Sequence, residues 1–216
     1  MIVNLLDDNP HGASGQLTAI DPITIYNGVS GTYGRSHQRW LRFAGGEAQC
    51  AFEGAVTALL RPGMRMIDVA CGTGTVARRL LRNAGGRIDL TLLDASPAML
   101  RTCHDIPATR VNARMQCLPF CNDSFDLLTC AWGIETLHDP RPALAEFVRA
   151  TRPGGHVCLV FCADRPAQSF FGQALRRHIA LSGRGRFLDH DTIGKHCTLA
   201  GAAKVQILHS TGPVAA

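Results

Sequence analysis

Between Ile67 and Leu80 the chain reads IDVACGTGTVARRL: an apolar run, then Gly72 and Gly74 around one threonine, then a segment that turns amphipathic. This order confines the fold. An apolar run of strand length that breaks at glycines and resumes with helical periodicity is a strand entering a helix through a tight turn. The pattern Gly72-x-Gly74-x-x-Ala77 also fits the loose form of a dinucleotide-binding fingerprint. Alone it marks a nucleoside-like ligand at the turn and leaves open whether that ligand carries a phosphate.

The alternation continues along the chain. Strands are expected over MRMIDVA, IDLTLLD, ATRVNA, FDLLTCAW, HVCLVFC and, last, KVQILHS. Between them, helices are expected over TVARRLLRN (stopped at Gly85-Gly86), PAMLRTC, PALAEFVRAT, AQSFFGQALRRHIAL and DTIGKHCTLAG. Ser96-Pro97 supplies an N-cap and a first-turn proline. Upstream, EAQCAFEGAVTALL repeats apolar positions as a helix does, and Arg61-Pro62-Gly63 ends it. Residues 1–35, rich in Gly, Asn, Ser and Thr, are expected to be loosely held. Near-continuous apolar strands alternating with helices imply an α/β fold: a doubly wound, mostly parallel sheet covered on both faces. In such sheets a ligand sits outside the carboxyl ends of the strands, where the strand order reverses.

Composition narrows the class. At 216 residues, 46% of them hydrophobic, the chain suits one folded domain. No apolar run approaches the ~18 residues of a membrane span. The N-terminal stretch carries Asp7 and Asp8 and no basic residue, which is unlike a signal peptide, so a cytoplasmic location is expected. The nine cysteines include no C-x-x-C; Cys117/Cys121 and Cys158/Cys162 are spaced by four, and no metal is expected. The formal charge of +5 lies wholly in residues 165–216, where seven basic residues face Asp189 and Asp191. That asymmetry favours an anionic substrate or an anionic membrane surface, or else is a solvated helix face.

The strand ends carry the chemistry. Gly72 and Gly74 let the backbone approach a ligand with no Cβ in the way. Thr75 opens a helix whose free N–H groups meet a carboxylate as readily as a phosphate. Asp68 precedes the turn, where it holds the loop or receives a cationic amine. Asp94 falls 20 residues after Gly74, at the end of the second strand, where a carboxylate accepts from both hydroxyls of a ribose. Met99, one helical turn beyond Ser96, is placed to touch an adenine face or to join the core.

Five segments in order, MIDVACGTG, LLDASPAML, CLPFCNDSFDLL, WGIETLHDP and RPGGHVCLVF, resemble the class I S-adenosylmethionine-dependent methyltransferases. The resemblance runs from about Met64 to Phe161, and WGIETLHDP…RPGG is similar to the quinone-biosynthesis C-methyltransferases and to bacterial phospholipid and small-molecule methyltransferases. It implies a Rossmann-like fold and S-adenosyl-L-methionine as cofactor. Asp68, Ala70, Gly72 and Gly74 would line the methionine moiety, and Asp94 would hold the ribose. Ala95, Met99 and Met115 would stand beside the adenine, and Ala131 and Trp132 would face the sulfonium and the acceptor. Residues 1–60 would form an N-terminal helical lid, 64–162 the cofactor-binding core, 163–203 a helical insertion on the acceptor side, and 204–216 the final strand region. Three departures stand out. Ala70 replaces the first glycine. Arg114 stands where an acid often meets the adenine amine. The family's seventh, antiparallel strand is reduced to GPVAA: unusually short, truncated, or supplied by another chain in a homodimer.

Methyl transfer is an in-line displacement that needs alignment and exclusion of water; a general base is needed only when the acceptor must lose a proton. His138 and Glu135, in ETLHDP, are the candidate catalytic groups. Tyr26, Tyr33, His37 and Trp40 from the N-terminal segment are candidates for ligand contact. Arg176, Arg177 and His178 are candidates on the acceptor side, where an arginine pair suits a phosphate or carboxylate. The expected function is methyl transfer to a small molecule or lipid head group. The basic cluster with Phe170, Phe171, Leu175 and Ile179 leaves open a helix lying on an anionic membrane. Two other classes remain: a non-catalytic module that binds S-adenosylmethionine or S-adenosylhomocysteine, and an NAD-dependent oxidoreductase, which explains neither LPF…SFD nor ETLHDP. No base-binding signature follows the fourth strand, so nucleic acid is not the expected acceptor.

Overall fold

The computed structural model describes residues 2–4, 21–83, 88–165, 170–182 and 185–210. Its strands are Ile2–Asn4 (β1), Arg65–Val69 (β2), Asp89–Asp94 (β3), Thr109–Asn112 (β4), Phe125–Ala131 (β5) and Thr151–Val160 (β6). They form one sheet in the order β1-β4-β3-β2-β5-β6, and every pair is parallel. From β2 the chain winds outward through β3 and β4, then returns to build β5 and β6 on the other side. The order therefore reverses between β2 and β5, and the crevice at their carboxyl ends is where ligands bind in such sheets.

The helices are Pro22–Trp40 (α1), Gly46–Leu59 (α2), Thr75–Asn83 (α3), Pro97–Arg101 (α4), Arg141–Ala150 (α5), Phe170–Ser182 (α6) and His190–Leu199 (α7). Both sheet faces are covered, which explains strands that read as unbroken apolar runs. Ile67, Val69, Leu93, Leu128 and Cys130 point to one side, into a core with Leu144, Phe147 and Ile193 of α5 and α7. Met66, Leu90, Leu92 and Leu127 point to the other, against Phe52 and Val56 of α2 and Leu80 of α3. The register Met66↔Leu90 and Met66↔Leu127 keeps each set in line across three strands.

The structure corrects three expectations. Residues 22–35 are helical, not loosely held: α1 opens with the Asp21 side chain accepting from the Ile23 N–H (3.2 Å) and with Pro22 in its first turn. It passes into α2 through a π-helical turn, Leu41–Gly45. The segment KVQILHS forms no strand; residues 204–210 are irregular, with Ile207 and Leu208 exposed. An alternating apolar pattern fits a strand only when a neighbouring edge is offered, and this segment pairs with none. The strand that was not foreseen is β1, which pairs through Ile2–Asn4 with Arg110–Asn112. In addition, β6 starts earlier than HVCLVFC, because Pro153-Gly154-Gly155 is accommodated as a bulge opposite Phe125–Leu127. The expected helix over 167–181 starts at Phe170 as described; residues 167–169, Gly85-Gly86, Arg184 and GPVAA lie outside the described residues.

Candidate active site

A cavity of about 240 Å³ opens at the carboxyl ends of β2, β3, β4 and β5. Its floor is built strand by strand: Ala70 and Gly72 after β2, Asp94 to Ser96 after β3, Ala113 to Gln116 after β4, and Ala131 to Gly133 with Thr136 to His138 after β5. Asp21, Pro22, Ile23, Tyr26 and Tyr33 of α1 and its cap close it from above. A smaller cavity of about 30 Å³ adjoins it, sharing Tyr33, Ala70, Gly72, Ala131 and Trp132 and adding His37, Asp68, Thr73 and Thr75.

The turn after β2 is pinned to β3. The Cys71 N–H donates to the Leu93 carbonyl (3.1 Å) and the Gly72 N–H to Asp94 Oδ2 (2.8 Å). Gly72 sits at φ +53°, and a Cβ there would reach within 3.8 Å of the Tyr33 ring that roofs the cleft. Gly74 has a different reason to be glycine. Its φ is +73°, and a Cβ would run into Ile106 Cδ1, so it faces packing and lies on neither cavity wall. Two non-glycine residues at the cleft share this left-handed backbone, Ala70 at φ +54° and Trp132 at φ +56°. Such strain, roughly 1–2 kcal/mol per residue, collects at functional sites. At Ala70 a glycine would carry none of it.

Three carboxylates define the electrostatics. Asp94 accepts one backbone N–H on each oxygen, from Gly72 and from Ser96 (both 2.8 Å). Burial pushes it up to about 6, with those two N–H groups opposing. Each oxygen keeps acceptor capacity beyond that one bond, which at a cavity-lining residue suits the two hydroxyls of a ribose. Asp68 is buried at the end of β2. Its Oδ1 accepts from the Thr129 hydroxyl (2.8 Å), and its Oδ2 has no partner. Burial raises it to about 7; the Thr129 bond opposes, and the charge of Asp94 adds a smaller push upward. An unpartnered carboxylate oxygen beside a small cavity at the start of α3 fits a ligand ammonium, and the free N–H groups of α3 fit the adjoining carboxylate. The residues present therefore fit an amino-acid–nucleoside cofactor: amino acid at Asp68, ribose at Asp94, and a flat base among Ala95, Met99, Ala113 and Met115. Glu135 is the third. Its side chain turns inward from a 3₁₀ turn (Ile134–Thr136), where Oε1 accepts from the Cys162 N–H at 3.4 Å and burial raises it to about 7.

The fold brings together most, not all, of the candidate residues. Ala70, Gly72, Asp94, Ala95, Met99, Met115, Ala131, Trp132, Tyr26, Tyr33 and His138 line the larger cavity, and Asp68 and His37 the smaller. Trp40 lies behind them, edge-on to Trp132 with ring centroids 5.5 Å apart. Glu135 lies on neither wall. Arg176 is turned away: it pairs with Asp164 (2.7 Å), donates to the Ala163 carbonyl and covers the Phe187 ring at 3.9 Å. Arg177 and His178 are exposed on α6, away from both cavities. No group of metal-ligating side chains occurs among the described residues. Several wall residues were not foreseen: Asp21, Gln116, Thr136 and Leu137. Gln49 was missed too; it accepts from the Trp132 indole N–H (2.6 Å) and donates to Glu53 (2.6 Å), fixing the indole from behind. For Asp21 a signal existed, since Asp-Pro is a helix-start pair.

A doubly wound parallel sheet whose glycine turn, buried Asp68 and Asp94 at the end of β3 lie at one switch point defines an α/β enzyme of the nucleoside-cofactor type. Residues 67–159 match the family described as "Methyltransferase domain". The chain is 30% identical over 187 residues to the ubiquinone/menaquinone biosynthesis C-methyltransferase of Bordetella parapertussis, covering 74% of this chain and 71% of that protein. It is 40% identical over 98 residues to the demethylmenaquinone methyltransferase of Renibacterium salmoninarum, covering 44% of this chain and 39% of that one. Against several of these curated relatives the match spans less than half of their length. The fold is shared with a phosphoethanolamine N-methyltransferase of Haemonchus contortus: TM-score 0.69 at 17% identity, covering 90% of this chain and 46% of that one. The chain belongs to the class I S-adenosylmethionine-dependent methyltransferases. Its cofactor is S-adenosyl-L-methionine.

Proposed function

We propose that this protein transfers a methyl group to a ring carbon of a small aromatic acceptor of the quinone type, drawn from a lipid surface. The distribution of charge along the cleft carries the reading. The larger cavity has two lining carboxylates, Asp21 and Asp94, and both stand at its β3–β4 end. The β5 wall of that larger cavity is lined by Trp132, Leu137, Thr136 and the imidazole of His138; Asp68 lines only the smaller cavity, and Glu135 is buried off both walls. A flat neutral ring suits that wall; an amine acceptor, whose positive charge would want an anion beside it, does not. The names of the relatives, a demethylmenaquinone methyltransferase and a ubiquinone/menaquinone biosynthesis C-methyltransferase, point the same way.

The cofactor supplies a methyl group activated by a positively charged sulfur. The chain supplies alignment, a closed site and a place for a proton. When a ring carbon of a quinol bonds to the methyl carbon, the carbon–sulfur bond breaks and the ring carbon then sheds its hydrogen as a proton. His138 is the cleft-lining group that can take it. Glu135 shapes the wall from behind.

The lipid-surface part rests on the last quarter of the chain. Six of the seven exposed large apolar side chains of the described residues fall between Phe170 and Leu208. Exposed Arg165, Arg177, Arg186, Lys195 and Lys204 lie in the same region, and no described helix is long and apolar enough to cross a membrane. The test is incubation with methyl-labelled cofactor and, separately, a demethylated naphthoquinol and phosphatidylethanolamine. Label on the quinol ring carbon supports the reading. Label only on the phospholipid nitrogen overturns it, and label on neither points to a non-catalytic cofactor-binding module.

A further inference from the structure

The adenine end of the cleft carries a charge pair that the glycine turn and Asp94 do not explain. Arg114 follows β4, and its Nη2 lies 3.6 Å from Oδ2 of Asp21, the cap of α1. Both residues line the cavity, and both side chains are about half exposed. The same cavity wall carries an apolar set from the ends of β3 and β4, Ala95, Met99, Ala113 and Met115, with Ser96 and Gln116 beside it. A base attached to a ribose held at Asp94 fills that apolar slot and presents its far edge to the pair. Adenine presents there a hydrogen-bond donor, the exocyclic amine, beside an acceptor, the adjacent ring nitrogen. A carboxylate beside a guanidinium presents the complementary acceptor and donor.

We infer that Asp21 and Arg114 together read the adenine edge, Asp21 accepting from the amine and Arg114 donating to the ring nitrogen. The acid that recognises the base then comes from α1 and not from the β4 loop, where the sequence places a cation. Base recognition and the seating of α1 over the cleft become one interaction. A second tie runs alongside it: Asn27 of α1 accepts from the Ser96 hydroxyl at the start of α4 (2.6 Å). That tie holds α1 against α4 with Asp21 beside Arg114 at the cavity wall.

The test compares S-adenosylhomocysteine with its 6-oxo analogue, S-inosylhomocysteine, by calorimetry. The analogue reverses both edge groups and leaves ribose and amino acid unchanged. The wild type should prefer the adenosyl compound by about ten- to a hundredfold, the range of charge-assisted hydrogen bonds. Asp21→Ala should lose most of that preference, chiefly through weaker adenosyl binding, while its affinity for the inosyl compound holds. Arg114→Ala should lose part of it. An Asp21→Ala variant that loses affinity for both compounds equally marks Asp21 as a purely structural cap and overturns the inference. So does an unchanged preference. A wild type that binds neither compound overturns the cofactor assignment itself, and the inference with it.

Discussion

Asp94 and Asp68 do different work with the same functional group. Asp94 spends one lone pair per oxygen on the Gly72 and Ser96 N–H groups, so it shapes the turn, and its place on the cavity wall is the basis for assigning it the ribose. Asp94→Ala removes both functions and should weaken S-adenosylmethionine binding at least about tenfold, since charged hydrogen bonds contribute ~1.5–3 kcal/mol; calorimetry giving unchanged affinity would sink the ribose assignment. Burial favours the protonated form of Asp68, raising it to about 7 against an unfolded value of about 4. A raised carboxylate stabilises the fold fully below its unfolded pKa and loses that contribution as pH rises through the folded one. The ligand-free protein should therefore melt at lower temperature at pH 8 than at pH 5, with Asp94 and Glu135 adding to the slope. A ligand ammonium beside Asp68 favours the ionised form, so cofactor binding near pH 6 should release a proton. Calorimetry in buffers of different ionisation enthalpy measures that release, and Asp68→Asn should reduce it. No difference between the two proteins would remove the ammonium from Asp68.

The element most at odds with its own residues is α1. It carries Gly28, Gly31 and Gly34, each costing roughly 0.8–1 kcal/mol against alanine in a helix. No residue of α1 is fully buried, and a Cβ at any of the three glycines would meet nothing within 4 Å. Alanine at all three should therefore tighten the helix without clash, slowing amide exchange over residues 22–40 in the ligand-free protein; unchanged exchange would mean that propensity does not limit its order. The next turn is the reverse case. A Cβ on Gly45 would lie 2.7 Å from Trp40 Nε1 and 2.8 Å from Trp132 Cζ2. Gly45→Ala must displace an indole that Gln49 holds, and should destabilise the fold by about 1–3 kcal/mol in denaturant titration. Both tryptophans of the chain sit at this junction, so a shifted emission maximum should accompany it. These elements also mark how far the sequence could be read. α3 and β3 were legible because periodicity and burial agree locally: β3 is buried from Leu90 to Leu93, and α3 runs over the nine residues that the pattern predicts. α1 was not, because its order comes from distant partners, Asn27 on Ser96 and Asp21 on Arg114. KVQILHS misled for the opposite reason, having a strand's pattern and no strand beside it. Most of the candidate cofactor residues could be located in advance as cavity-lining because they fall at strand ends, which the pattern locates. The acceptor side depends on which way long side chains turn, and Arg176 turned to Asp164 and Phe187.

At the scale of the whole molecule, two asymmetries coincide. The net positive charge lies in the chain's last quarter, and so do six of the seven exposed large apolar side chains among the described residues. That region also touches the cleft: the Arg186 N–H donates to the Glu135 carbonyl (2.9 Å), and the Arg186 side chain reaches the His138 carbonyl (3.5 Å). A bilayer held against it would deliver an apolar ring to the β5 end, beside His138 and Trp132. Lysine and arginine near an anionic surface contribute about 1 kcal/mol each, and salt screens that share while leaving the apolar share intact. The protein should thus sediment with phosphatidylglycerol vesicles at low salt and much less at high salt, and should largely ignore phosphatidylcholine vesicles. Phe170→Ser with Leu181→Ser should lower the salt-resistant fraction, while charge reversal at Arg177 and Lys195 should lower the salt-sensitive one. The rival occupant of the same surface is a second copy of the chain, which predicts concentration-dependent dimers in sedimentation velocity and no vesicle binding at any salt. Dimers that persist and exclude vesicles would move the apolar residues from a membrane surface to a subunit interface, and the acceptor would then have to reach His138 from solution.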